Sequence, residues 1–116
     1  MHELALAEGI VGIAQRQIEI YSARRVNSIK VLIGEAVAVD PGSLRFGFEV
    51  MAKTIPELEG AVLEIQTVPH RGRCRACGDE FAVVYYIASC PACGGSSVDI
   101  ISGTEFQVLE MDIDDA

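Results

Sequence analysis

Basic residues are scarce in this chain: nine lysines and arginines stand against seventeen acids, a formal net charge of −8. Nucleic-acid affinity rests on clustered Lys and Arg that neutralise phosphates, so the composition argues against a nucleic-acid partner. The single basic patch, Arg71, Arg73 and Arg75, reads as a solvated loop face. Long apolar runs are missing as well; none approaches the ~18–20 residues of a membrane span. The start, Met1–His2–Glu3, carries a histidine and an acid where a secretory signal has a basic region. A cytoplasmic protein that engages no membrane is expected. No HExxH, paired-carboxylate or Ser/His/Asp constellation is present, so an enzyme is not expected. Histidine itself occurs only twice, as His2 and His70.

Half the residues are hydrophobic, and a chain of this length buries enough surface for a real core. Residues 3–23 predict a helix: Leu4, Ala7, Val11, Ala14, Ile18 and Tyr21 recur at steps of three and four, with Leu6, Ile10, Ile13 and Ile20 widening the stripe. Arg24 and Arg25 suit its C-terminus. From Val26 to Val39 the period becomes two, with Ile29, Val31 and Ile33 on one face. VDPGS is a turn with Ser43 as the expected N-cap of a second helix carrying Leu44, Phe48, Met51 and Ile55, which Pro56 ends near Lys53. Strands follow at Ala61–Val68 and about Glu105–Ile113. Residues 70–103 differ: they hold all four cysteines and five glycines around a short β-like run, Phe81–Ile87. The expectation is an α+β chain. A small mixed α/β domain, two helices on a three-stranded sheet, takes residues 1–69 and 104–116. A zinc-ribbon-like lobe, residues 70–103, is inserted into it.

The cysteines form CRAC (Cys74, Cys77) and CPAC (Cys90, Cys93), twelve residues apart, each followed by glycine. In a cytoplasmic chain such pairs point to metal in preference to disulfides. Two Cys-x-x-Cys turns converge on one ion as a tetrahedral S4 site, and Gly78 and Gly94 supply the positive φ each turn needs. Structural zinc is the favoured occupant, and it adds folding free energy to a lobe poor in apolar residues. The alternative without metal is two redox-active or merely buried thiol pairs. The same pattern resembles rubredoxin, which holds iron for electron transfer, but rubredoxins are much shorter and lack a helix-and-sheet domain. A zinc-ribbon adaptor that transports no metal is the other rival.

Met1–His2–Glu3 can also bind metal. The Met1 amine, the His2 amide and the His2 imidazole close adjacent chelate rings, and the Glu3 amide is a further nitrogen. Such nitrogen-rich coordination suits Ni(II) or Cu(II). The first N–H groups of a helix have no acceptor within it and are available. The plainer readings stand beside this one: a solvated His2, Glu3 as a first-turn acid facing the helix dipole, Asp40 as an Asx-turn residue before Pro41, and an exposed His70.

Start, length, cysteine spacing and the stretch RVNSIKVLIGEAVAVDPGSLRFGFEVMAKTIPELEGAVLEI together resemble the HypA/HybF family, nickel-insertion proteins for NiFe hydrogenase maturation, some of which also serve urease. The resemblance implies a metallochaperone that carries Ni(II) as cargo. It implies His2 as the essential nickel ligand, supported by Glu3 and the backbone nitrogens of Met1, His2 and Glu3, with Asp40 also implicated. It implies Cys74, Cys77, Cys90 and Cys93 as zinc ligands, and a HypB-type GTPase and the hydrogenase large subunit as partners. The chain itself is expected to be a monomer or homodimer. Some relatives have histidines beside the zinc cysteines; Asp79 and Gly95 stand there instead, which points away from pH gating and from a urease role.

Overall fold

The computed structural model describes residues 2–115. In chain order these form α1 (His2–Tyr21), β1 (Ala23–Gly34), a 3-10 turn (Glu35–Val37), α2 (Pro41–Ala52), a second 3-10 turn (Pro56–Leu58), β2 (Val62–Val68), β3 (Arg71–Cys74), β4 (Glu80–Ala82), β5 (Val98–Ser102) and β6 (Phe106–Asp115). The class is mixed α+β, with two three-stranded sheets ordered β2-β1-β6 and β4-β3-β5. The chain divides into two compact units.

The first unit takes in the described residues up to Val31, Val39–Gln66, and those from Gln107 onward. Its buried residues follow the helical and strand periods: Ala7, Ile10, Val11 and Ala14 of α1, Val26, Ile29 and Val31 of β1, Leu44 and Phe48 of α2, then Leu58 and Leu63. The α1 stripe fades at both ends, where Leu4 and Tyr21 are exposed. Gly47 lets α2 lie close to α1: a Cβ there would stand 3.6 Å from Ala7 and 3.7 Å from Leu4. Three local expectations are corrected. The helix stops at Tyr21 because Ser22 turns left-handed, φ 49°, so Arg24 and Arg25 belong to β1 and do not serve a helix C-terminus. The first strand ends at Gly34, five residues early, in a 3-10 turn. Asp40, not Ser43, caps α2, because Pro41 at the first helical position needs no acceptor and Gly42 is the first amide that does.

The second unit gathers Leu32–Ala38 with Thr67–Phe106. Residues 32–38, expected with the first domain, join it through backbone bonds from Gly34 N–H to Glu105 O (2.7 Å) and from Ala36 N–H to Gly103 O (2.8 Å). β3 pairs antiparallel with β4 (Gly72 opposite Phe81) and with β5 (Cys74 opposite Val98). The core here is small: Cys74, Phe81, Val83 and Cys90, with Val98 against it. The β run expected through Ile87 stops at Ala82. A bridge between Val84 and Ile87 then closes a turn in which Tyr85 and Tyr86 are both left-handed, φ 53° and 61°, a conformation normally left to Asn-Gly. Tyr86 is held there by its hydroxyl, which donates to Ala36 O at 2.9 Å. Its ring also meets His70 edge-on at 5.9 Å. His70 is therefore buried, at 7% exposure, and not exposed as expected.

At Gly34 and Gly103 backbones cross with no room for a side chain. A Cβ on Gly34 would lie 2.0 Å from Gly103 O, and one on Gly103, at φ +100°, would lie 2.3 Å from the His70 Cα. Both neighbours are backbone, so neither can swing aside. Gly34→Ala should lower stability by about 3 kcal/mol, the upper range for overpacking. Gly9→Ala, in α1 with open space around its Cβ, should raise it by about 0.5–1 kcal/mol from helix propensity. Urea unfolding of the two variants checks the opposite signs.

Candidate metal centres

The two cysteine pairs sit in two turns with the same bonding. After β3, Cys74 N–H donates to Asp79 O (2.9 Å) and its carbonyl accepts Gly78 N–H (2.9 Å). In the second turn Cys90 N–H donates to Gly95 O (2.9 Å) and its carbonyl accepts Gly94 N–H (2.8 Å). Gly78 and Gly94 have φ of 79° and 75°, a conformation that strains side-chain-bearing residues. All four Sγ atoms lie within 4.8 Å of one another, with 3.6 Å from Cys74 to Cys93 and from Cys77 to Cys90. Disulfide sulfurs would stand ~2.05 Å apart, and the cysteines are free. A tetrahedral ion with metal–sulfur bonds of about 2.3 Å has sulfur–sulfur edges of about 3.8 Å, so the cage fits such an ion with little adjustment. Cys74 and Cys90 are buried, Cys77 and Cys93 exposed. Four sulfurs close the coordination shell and leave no position for a reacting ligand.

The thiols interact strongly. The Cys77 N–H, and secondarily that of Ala76, hold the Cys74 thiol down to about 7 despite its burial. At Cys77 the Asp79 N–H works to lower the value, but the Cys90 sulfur, burial and the Cys74 sulfur outweigh it and push the thiol up to about 12. Cys93 is also raised: the Gly95 N–H lowers it, while the Cys74 and Cys90 sulfurs and burial win. The first thiolate thus discourages the others, and a dication is what allows all four to ionise together. Nearby, Arg73 pairs with Glu80 at 3.0 Å and Arg75 with Asp99 at 2.6 Å. The hydrogen bond from Arg75 holds the Asp99 carboxyl below its usual range. The arginines expected on a loop lie instead on β3 and its following turn; Arg73 and Arg75 are exposed as expected of a solvated face, whereas Arg71 is half-buried.

A second cluster forms in the first unit. His2 opens α1 with its ring half exposed, Nε2 3.8 Å from Glu3 Oε2. The same Glu3 oxygen accepts the Asp40 main-chain N–H at 3.2 Å. That bond, followed by Glu3's own N–H and more weakly by His2, holds the Glu3 carboxyl below its usual range. The Asp40 carboxylate faces its own helix, accepting Gly42 N–H (3.3 Å) and the Ser43 hydroxyl (2.6 Å). Positions 2, 3 and 40 are therefore brought together; the Met1 amine and amide lie outside the described residues. An imidazole, a carboxylate and helix-start amides suit a borderline divalent ion such as Ni(II) or Cu(II).

Beside Glu3 and Asp40 opens a groove of about 680 Å³, lined by Leu4, Phe46, Val50 and Met51. It was not anticipated, although Phe46 and Val50, four residues apart and off the Leu44–Phe48 stripe, are the signal that marks it. No helix among the described residues is long and apolar enough to cross a membrane.

Comparison with known proteins agrees over nearly the full length. The family profile described as "Hydrogenase/urease nickel incorporation, metallochaperone, hypA" matches residues 1–113. A hydrogenase maturation factor HypA from Geotalea uraniireducens (strain Rf4) is 38% identical over 98% of this chain and 100% of its own. One from Syntrophus aciditrophicus (strain SB) is 42% identical over the same shares. The solution structure of the Ni metallochaperone HypA from Helicobacter pylori superposes with a TM-score of 0.68 at 20% identity, covering 98% of each chain.

Proposed function

Because the chain belongs to the HypA family of nickel metallochaperones for hydrogenase maturation, we propose that it binds Ni(II) at its N-terminus and hands it on to a hydrogenase maturation partner. Metallochaperones bind and release; the family is not one of enzymes. The observation that carries the proposal is the meeting of His2, Glu3 and the Asp40 turn, 37 residues away in sequence, at the open end of α1. The ligand set is the His2 imidazole with the Met1 amine, the first amides and the Glu3 carboxylate. Its exposure at a helix start favours exchange over retention. The four cysteines hold zinc with a purely structural role, supported by the closed S4 geometry. A HypB-type GTPase and the hydrogenase large subunit are the proposed partners, in the cytoplasm. The exposed tip Val84–Ile87 supports a docking role for the zinc lobe.

Untagged protein titrated with Ni(II) tests this, with metal analysis before and after. One zinc per chain should be present from the start, in colourless protein, and one nickel should be added. A red, iron-loaded protein would sink the zinc assignment. A tag fused ahead of Met1 removes the free amine and should weaken nickel at least tenfold without moving zinc. Since amine, amide and imidazole bind nickel only after losing protons, affinity should fall as pH drops.

A further inference from the structure

We propose that Asp40 is a positioning residue for the nickel site: its main-chain N–H fixes the Glu3 carboxylate beside His2, while its own carboxylate is committed to starting α2. This rests on the nickel assignment above.

Both Asp40 oxygens are already engaged. Oδ1 accepts from Gly42 N–H and Oδ2 from the Ser43 hydroxyl, the shorter of the two bonds at 2.6 Å. Pro41 has no N–H, so Gly42 is the first amide of the helix that needs an acceptor, and Asp40 is the residue placed to supply it. The Asp40 carbonyl accepts Leu44 N–H at 3.0 Å. Residue 40 is thus held by three bonds to α2, and its remaining polar group, the N–H, donates to Glu3 Oε2. The consequence falls on Glu3. An acid in the first turn of a helix is ordinarily free to sweep through its rotamers, and that freedom is lost when it binds an ion. Here the bond from the Asp40 N–H, itself fixed by the α2 cap, restrains the carboxylate beforehand, lowering the ordering penalty of nickel binding.

A cap and a ligand make opposite demands on the side chain. Asn caps a helix as well as Asp does and leaves the N–H in place, but it lacks the charge and basicity of a carboxylate ligand. Ni(II) titration calorimetry on Asp40→Asn, Asp40→Ala and Ser43→Ala separates the roles, with the nickel absorption spectrum as the coordination readout and zinc content as a check of folding. Asp40→Asn should bind within twofold of the unmodified protein, with the same spectrum. Asp40→Ala should bind about tenfold more weakly and Ser43→Ala a few-fold more weakly. Should Asp40→Ala fail to fold, Asp40→Ser, which keeps a short cap, should still bind within a few-fold. Two results would overturn the inference alone: Asp40→Asn losing as much affinity as Asp40→Ala or changing the spectrum, which makes the carboxylate a ligand, or Asp40→Ala binding unchanged. Absence of nickel binding by the unmodified protein would overturn the nickel assignment and this inference with it.

Discussion

Cys90→Ser should strip the metal from the four cysteines and unfold the second unit while the first stays folded. The difference lies in what each unit has to hold it. The first buries Ile10, Val26, Ile29, Val31, Leu44, Phe48 and Leu58 almost completely, each contributing about 1.5–3 kcal/mol. The second has Phe81 and Val83, with Val98 alongside, and the two cysteines Cys74 and Cys90 fill the rest of its core. Its ion pairs, Arg73–Glu80 and Arg75–Asp99, are exposed, and such pairs contribute about 0–1 kcal/mol. A structural zinc site contributes on the order of 10–16 kcal/mol, more than those three apolar side chains and two exposed pairs together. Cys90 is 2% exposed, and serine in its place is a poor ligand in a buried position. Hydrogen exchange should show residues 67–106 unprotected in the variant, with α1 and α2 protected as before and zinc absent by metal analysis. Protection of β3, β4 and β5 without metal would show that the lobe's own packing suffices. The pH dependence has a definite sign. Metal binding needs all four thiolates, and with Cys77 pushed up to about 12 in the metal-free cage, protons compete for the sulfurs. Zinc affinity and lobe stability should therefore fall together as pH drops.

What could be read from the sequence was local. Leu44 and Phe48, or Ile29, Val31 and Ile33, declare their buried face by period alone, and the order of helices and strands follows. The cysteine cage was equally legible, because an i, i+3 thiol pair followed by glycine prescribes its own turn. The misreadings share one cause, which is that the deciding contact is distant in sequence or competes with an equally good neighbour. Asp40 and Ser43 are both good caps, and only the placement of Pro41 at the first helical position selects Asp40. His70 gives no local sign of burial, since its cover is Tyr86, whose turn no propensity favours. The crossing of Gly34 over Gly103 assigns residues 32–38 to the second unit, yet neither glycine sits in a pattern that names its partner. The bond from Asp40 N–H to Glu3 is hidden for the same reason, although the sequence points to metal at each residue separately.

His2→Ala should abolish stoichiometric nickel binding and change almost nothing else. In the proposed site the imidazole would close the chelate that the terminal amine and the first amide begin, so its loss would remove a strong nitrogen donor and the ring it completes. Groups that merely orient a metal ligand are worth 10–100-fold in affinity; losing the ligand itself should cost more than about 100-fold. No other imidazole can substitute, because the second histidine, His70, is buried in the other unit against Tyr86. Glu3 cannot compensate either, since its carboxylate already belongs to the proposed ligand set and adds no new donor. Stability should move by no more than about 0.5 kcal/mol, the ordinary effect of a surface substitution, because the His2 side chain is half exposed and the buried face of α1 begins only at Ala7. Zinc content should stay at one per chain, as the cage shares no residue with α1. Calorimetric nickel titration of the untagged variant, paired with zinc analysis and thermal unfolding, gives all three readouts from one preparation. A variant that still takes up one nickel at unchanged affinity would place the site elsewhere. Loss of nickel together with zinc or with the fold would reduce His2 to a structural residue, whereas loss of nickel alone assigns it as the ligand.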